Sequence, residues 1–342
     1  MNRITSPLVS VLTPVYNGER YLSECIESVI SQTYRNWEYI IVNNCSTDRT
    51  QEIAQSYAKK DGRIRIHKNQ ELVKMGPNHD IAISLIAPTS LYCKVLHADD
   101  FMFPECLERM VDLAVANPLV GLVSSYRLDD RKVNLDGLPY PSTVVSGREI
   151  CRQFLLNGLF VFGSPSSVLI RTDLVRGREQ FIDDESFLMH GDTATCHEIL
   201  MKADFGFVHQ VLTFTRRHEG ATDTPKAQAY NSYLPAHLVM LQRYGPIYLS
   251  DAERGECLKA RLDDYYRFLG KSAVTGKNVE FWQFHRRVFN GLDVPLSYWR
   301  LVRTSVLGSK RAYLFHPLKT LGNMVSAMRD LRQNGPEIKG AG

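Results

Sequence analysis

The stretch Val9-Ser10-Val11-Leu12-Thr13-Pro14-Val15-Tyr16-Asn17-Gly18 decides the fold. Residues 9–12 form a short, β-branched apolar run, and Pro14 is expected to end it. Asn17-Gly18 is a turn signal, and Leu22, Ile26, Val29 and Ile30 then recur on one helical face. Strand, turn and amphipathic helix make one unit of an α/β fold. The unit repeats along the chain. Residues 39–42 are a second apolar run, after which Asp48, with Gln51 three positions on, is expected to open a helix with a capping box. Residues 63–67 read as a third strand, 78–86 as a helix and 91–96 as a fourth strand. A helix is expected from Pro104, a favoured first-turn residue, and a fifth strand at 121–125. Alternating short strands and helices predict a mostly parallel sheet covered on both faces, with right-handed crossovers. In such sheets ligands bind beyond the C-terminal ends of the strands.

Farther on the pattern loosens. Residues 127–224 hold Gly, Pro and Asp clusters, with strand-like runs at 167–170 and 211–215. From Ala227 the pattern is helical, with Leu234, Leu238 and Leu241 in register. Asn334-Gly335-Pro336 leads into a tail expected to be disordered.

Composition sets outer bounds. The chain has 342 residues, 44% of them hydrophobic, enough for a large core in one domain or two. Net charge is +4. From Phe281 to the C-terminus there are ten Lys or Arg against three Asp or Glu, so this segment carries +7 and the remainder −3. Seven cysteines with no C-x-x-C pair read as thiols of a reducing compartment. The polar N-terminus is not a signal peptide, and no apolar run reaches transmembrane length. The expected location is cytoplasmic, or peripheral on the inner face of the membrane.

Three polar clusters fall at strand ends: Thr13-Pro14-Val15-Tyr16-Asn17-Gly18, Asn43-Asn44-Cys45-Ser46-Thr47-Asp48 and His97-Ala98-Asp99-Asp100. Each alone is ordinary loop chemistry, and their joint placement carries the information. With Pro104, Ser164-Pro165-Ser166, Gly191-Asp192 and Arg216-Arg217-His218 following in order, the chain resembles glycosyltransferase family 2 over roughly residues 7–222.

The resemblance implies the GT-A nucleotide-diphospho-sugar transferase fold: α/β, with a mostly parallel central sheet, flanking helices and a C-terminal helical region. Residues 1–225 are the expected catalytic domain, with a donor half at about 7–126 and an acceptor half at 127–225, and 226–342 a helical extension. It implies an inverting transferase, a nucleotide-sugar donor and a divalent metal, Mn2+ or Mg2+, that neutralises the diphosphate leaving group. Asp99 is the expected metal ligand, with His218 completing the shell. Asp192 is the expected acceptor-activating base, with a helix N-cap as its alternative role. Donor contacts are expected from Pro14, Tyr16, Asn17, Asn43, Asn78, His97, Asp100 and Arg216. His97 and Asn43 stand where the family commonly has Asp. A neutral imidazole can still ligate metal, tilting preference toward Mn2+, or can bond ribose or phosphate. An amide can still read a base edge.

The acceptor class stays open among glycan, lipid-linked and small-molecule hydroxyls. No nucleic-acid-binding pattern is present. Residues 295–321 mix Tyr298, Trp299, Tyr313 and Phe315 with Arg300, Arg303, Lys310, Arg311 and Lys319. That composition suits an anionic membrane surface, and packing on the catalytic domain is the alternative. The expected function is sugar transfer in glycan or surface-polysaccharide assembly. A non-catalytic nucleotide-sugar-binding relative is the rival. A nucleotidyltransferase would want a Gly-rich basic loop after the first strand, which Tyr16-Asn17-Gly18-Glu19 does not supply.

Overall fold

The computed structural model describes residues 6–183, 185–218, 224–292 and 294–332. The chain divides into two compact units, Met1–Glu219 and Gly220–Gly342.

The first unit runs β1 (Val9–Val15), α1 (Leu22–Ile30), β2 (Trp37–Asn43), α2 (Thr50–Ala58), β3 (Ile64–Lys68), α3 (Met75–Ser84), β4 (Tyr92–Val95), β5 (Phe101–Met102) and α4 (Cys106–Ala116). It continues with β6 (Val120–Asp129), β7 (Lys132–Asn134), β8 (Val144–Val145), α5 (Gly147–Asn157), β9 (Leu169–Arg171), α6 (Gly191–Leu200) and β10 (Asp204–Thr215). The sheet order is β3-β2-β1-β4-β9-β6-β10-β5, with β7 on β6 and β8 on β10. β1 to β4 pair in parallel. β9 then enters antiparallel between β4 and β6, and β10 runs parallel to β6. The core follows from the apolar spacing: Leu22, Ile26 and Val29 of α1 are fully buried with Val9 and Val11 of β1 and Tyr39 and Ile41 of β2. Each such aliphatic side chain contributes roughly 1.5–3 kcal/mol of transfer free energy.

Two local expectations fail for physical reasons. β1 does not stop at Pro14. Val9 donates to the Asn36 carbonyl and the Val15 carbonyl accepts from Asn44, so odd residues bond β2. The Pro14 nitrogen faces the other side, where pairing with β4 ends at Leu12 opposite Val95, so no ladder bond is lost. The capping box at Asp48 does not form, because the Asp48 carboxylate accepts from the backbone N–H of Thr50 (3.0 Å) and of Glu19 (2.9 Å). The Gln51 amide oxygen instead accepts from Asn43 Nδ2 (2.6 Å).

The second unit is helical: α7 (Thr224–Tyr230), α8 (Tyr233–Tyr248), α9 (Asp251–Thr275), α10 (Val279–Gly291), α11 (Tyr298–Gly308), α12 (Lys310–Phe315) and α13 (Pro317–Arg332). Leu238 and Leu241 of α8 are buried, as their spacing requires. α9 opens with a true capping box between Ser250 and Glu253. α11 packs on α9 through buried Leu301 and Ser305, while Trp299, Leu307, Leu314, Phe315 and Leu318 are exposed. Among the described residues no helix is long and apolar enough to cross a membrane. The Asn334-Gly335-Pro336 turn and its tail lie outside the described residues.

Candidate active site

The ends of β1 and β2 are laced together. Asn17, in the left-handed region at φ 51°, donates its backbone N–H to Ser46 Oγ (2.9 Å), and its Oδ1 accepts from the Thr47 N–H (2.9 Å). Gly18 N–H bonds Thr50 Oγ1 (2.8 Å), and a Cβ on Gly18 would sit 2.6 Å from Val15 Cγ2. Pro14 is buried below this loop and Tyr16 is 50% exposed, leaving a ring face open to solvent. Asn43, expected to contact the donor, sits inside the turn. It is fully buried, with Nδ2 on Gln51 and Oδ1 accepting from the Ser46 N–H, so it closes the turn instead of facing outward. Asn78 is also buried: its Oδ1 accepts from Asn69 Nδ2 (2.9 Å) in an amide network with Asn44.

Beyond β4, the acids expected to carry the chemistry meet the end of β10. The short antiparallel pairing of β10 with β5 sets Phe214 opposite Phe101, which brings residues 216–218 to the acids. His218 Nε2 donates to Asp99 Oδ2 (3.0 Å), with the His218 ring 5.0 Å from that of Tyr21. Arg216 donates its backbone N–H to Asp100 Oδ1 (3.1 Å) and its Nε to the Asp99 carbonyl (3.1 Å). Its remaining guanidinium edge pairs with Glu24, over the Tyr21 ring. Arg216 thus holds the acidic loop. Asp100 is 3% exposed; burial pushes its pKa up, and neighbouring Asp99 adds to the rise. Ligand atoms of His97, Asp99 and Asp100 all lie within 4.8 Å of one another. One imidazole nitrogen and two carboxylates form a donor set that fits a divalent transition cation.

His97 is held from two sides. Its backbone N–H donates to Ser166 Oγ (3.0 Å), and its Nε2 lies 3.2 Å from Nε2 of His79 on α3. His79 is 2% exposed, and its Nδ1 lies 2.9 Å from the Met75 carbonyl. Burial drives its pKa down to about 3, so it is neutral.

Asp192, in α6, lies near enough to His97 to feel its charge. It is not the N-cap, which is His190; Asp192 lies in the first turn, where Oδ1 accepts from the Thr193 N–H (2.7 Å) and Thr193 Oγ1 (3.3 Å). Only part of its surface reaches solvent, and desolvation raises its pKa against the lowering pull of His190, Thr193 and His97. Gly191 makes the placement possible, because a Cβ there would lie 2.6–2.8 Å from the Asp183 backbone. Phe181 ties α3 to α6, its N–H donating to Asp80 Oδ1 (2.6 Å) and its carbonyl accepting from Thr195 Oγ1.

Comparison with known proteins bears on the fold. Residues 10–177 match the family described as Glycosyl transferase family 2. Over this segment the chain is similar to glycosyl transferase family 2. A Haemophilus influenzae glycosyltransferase is 36% identical over 120 residues, covering 35% of this chain and 36% of the relative. The glycosyltransferase GlyG of Streptococcus pneumoniae is 27% identical over 231 residues, covering 63% and 73%. A Bacillus subtilis glycosyltransferase named for teichuronic acid biosynthesis, TuaG, is 33% identical over 126 residues, covering 36% and 48%. The chain spans about a third of the length of the first curated relatives it matches. Among solved structures, Staphylococcus aureus TarS 1–349 in complex with UDP superposes with a TM-score of 0.60 at 17% identity, over 96% of this chain and 91% of that one. A Pyrobaculum calidifontis mannosyltransferase in complex with GDP-Man and Mn2+ gives 0.51 at 14% identity, over 94% and 85%. These likenesses show the GT-A fold.

Sequence reasoning missed two charged or polar neighbours of the acid cluster. One is His79. The other is Arg127 on β6, 6% exposed, which donates to Asn134 Oδ1 (3.1 Å) and feels the charges of Asp129, Asp100 and Asp192. Arg127 stands just past the strand expected at 121–125, among Ser124, Ser125 and Asp129, so nothing in the local pattern marked it for burial.

Proposed function

We propose that the protein transfers a sugar from a nucleoside-diphosphate sugar to an acceptor hydroxyl, with inversion at the anomeric carbon. The observation that carries the reading is the convergence of His97, Asp99, Asp100 and His218 at strand ends, with Asp192 near enough to His97 to feel its charge. Asp99, with His97 and Asp100, would hold a divalent cation, whose charge would offset that developing on the diphosphate, while His218, expected to complete the shell, bonds Asp99 instead. Arg216 and Ser166 fix the acidic loop. Tyr16 offers its ring face to the nucleobase. Asp192, as a carboxylate, takes the acceptor hydroxyl proton. The acceptor oxygen bonds the anomeric carbon as the bond from that carbon to the phosphate oxygen breaks, and the nucleoside diphosphate leaves. The family 2 match over residues 10–177 and the acid cluster support this reading.

The partners in this reading are a nucleotide-sugar donor and a glycan, lipid-linked or small-molecule acceptor, in glycan or surface-polysaccharide synthesis. The location is cytoplasmic, with the C-terminal helices resting on the inner face of a membrane. Supporting that contact, α11–α13 expose Trp299, Leu307, Leu314, Phe315 and Leu318 alongside exposed Arg303 and Lys319. The only acid between residues 295 and 332, Asp330, is buried.

A thermal-shift screen of nucleoside diphosphates with and without Mn2+ tests the proposal. A ligand at about a hundred times its Kd adds roughly 2.7 kcal/mol, a clear rise in melting temperature. At least one diphosphate should raise the melt, more strongly with Mn2+. No shift from any of them would remove the donor site.

A further inference from the structure

We propose that His79 is a positioning residue that sets the tautomer of His97 and so makes His97 a nitrogen ligand through Nδ1. The inference rests on the reading of Asp99 and His97 as a metal site and extends it to a side chain one layer back.

The argument is one of donor and acceptor accounting. A backbone carbonyl only accepts, so the His79 Nδ1 that lies 2.9 Å from the Met75 carbonyl carries the hydrogen. A neutral imidazole then has a bare Nε2. Nε2 of His97 lies 3.2 Å from that bare nitrogen, and one of the two must donate. His97 is therefore the donor, through Nε2–H, and its own bare nitrogen is Nδ1. With Nε2 engaged, Nδ1 is the nitrogen left to join Asp99 and Asp100 in binding a cation. The chain runs Met75 carbonyl, His79, His97, ligand, the arrangement by which an outer hydrogen bond fixes a metal-binding imidazole.

The contact is built into the fold. His79 and His97 meet edge to face at 5.4 Å between centroids. The His79 ring lies beside Phe181 at 6.5 Å, and α3 is anchored there by Asp80. The far side of His97 is fixed by Ser166. The ring thus has a partner at Nε2 and a backbone clamp at its base. His79 lies outside the three polar clusters that announce the site in the sequence.

The experiment combines two readouts on the full chain. Long-range 1H–15N correlation of histidine-labelled protein reports tautomers, with signals assigned by the His79→Gln and His97→Ala variants. It should find His79 protonated at Nδ1 and His97 at Nε2. Mn2+ is then titrated alone and with UDP or GDP, and its nitrogen coupling read by electron spin-echo spectroscopy. Wild type should show one histidine nitrogen coupled to Mn2+, absent in His97→Ala. His79→Leu, which offers no acceptor, should weaken Mn2+ binding by about 10–100-fold and reduce the coupling. His79→Gln, whose amide oxygen can accept from His97, should restore most of both. The opposite tautomer at His97 overturns the proposal without any variant. So does a folded His79→Leu with wild-type Mn2+ affinity and coupling, or Mn2+ bound by wild type with no nitrogen coupling. Wild-type Mn2+ affinity in Asp99→Ala would instead overturn the metal site itself.

Discussion

Replacing Asp192 by Asn separates a proton-accepting role from a structural one. The side chain bonds Thr193 N–H at 2.7 Å and Thr193 Oγ1 at 3.3 Å through a single oxygen, and the Asn carbonyl oxygen can keep both. The cost in structure is the lost attraction of a carboxylate for the first turn of α6, about 0.3–1 kcal/mol. Burial works the other way. The folded-state pKa of Asp192 is raised, so the native protein holds that proton more tightly than the unfolded chain. The group's contribution to stability is therefore fully present at low pH and is lost as pH rises through the raised pKa. Relative to wild type, the Asn variant should gain in melting temperature between acidic and neutral pH. Catalysis should respond differently. A general base contributes roughly a hundredfold to ten-thousandfold, or about 2.7–5.4 kcal/mol of barrier at about 1.36 kcal/mol per tenfold. Turnover should fall by that factor with the donor KM nearly unchanged, because the lost interaction forms in the transition state. Wild-type rates should climb with pH through an apparent pKa above the ordinary carboxylate range, and the variant should lack that limb. The assay is initial-rate product formation across pH, with melting curves in parallel. A folded Asp192→Asn protein turning over at the wild-type rate would refute the reasoning.

The other expectations follow from the same contacts. Asp99→Ala should abolish the Mn2+-dependent part of nucleoside diphosphate binding in calorimetry while leaving the melting temperature of the unliganded protein close to wild type; unaltered Mn2+ dependence would count against Asp99. Gly191→Ala puts a methyl group 2.6 Å from Asp183 backbone carbon, so the start of α6 must shift, at about 1–3 kcal/mol in denaturant melts and with a loss of turnover exceeding any loss of donor affinity. Leu314→Ser, Phe315→Ser and Leu318→Ser together remove exposed apolar surface, so liposome sedimentation with anionic lipid at low salt should fall without a change in melting temperature. Equal sedimentation by variant and wild type, or by neither, would reject the membrane contact.

The centre of the parallel half of the sheet was legible because β1, β2 and β4 are buried on both faces. Residues 9–12, interrupted only by Ser10, and 39–42 read as apolar runs for that reason, and the helical spacing of Leu22, Ile26 and Val29 marks the layer above them. The acidic loop was legible because three polar clusters fall where such runs end. The antiparallel insertion of β9 between β4 and β6 was not, since three residues at Leu169–Arg171 carry no directional signal. Whether an amide or guanidinium faces ligand or protein depends on partners distant in the chain. Asn43 turned inward because Ser46 and Gln51 take its amide, and Arg216 was committed by Glu24 and Asp99. His79 was hidden for the same reason: α3 shows little segregation of polar from apolar faces, and the histidine gains its meaning only where β4 carries His97 past it.

The central claim is that this acid cluster, with a divalent cation, activates a nucleotide sugar. The most direct measurement is release of nucleoside diphosphate from a panel of UDP-, GDP- and CDP-linked sugars by the full chain in Mn2+, repeated in excess EDTA. The account predicts release from at least one donor, lost in EDTA, restored by added Mn2+ and absent in Asp99→Ala. Undiminished release in EDTA, or the same release by Asp99→Ala as by wild type, would contradict it.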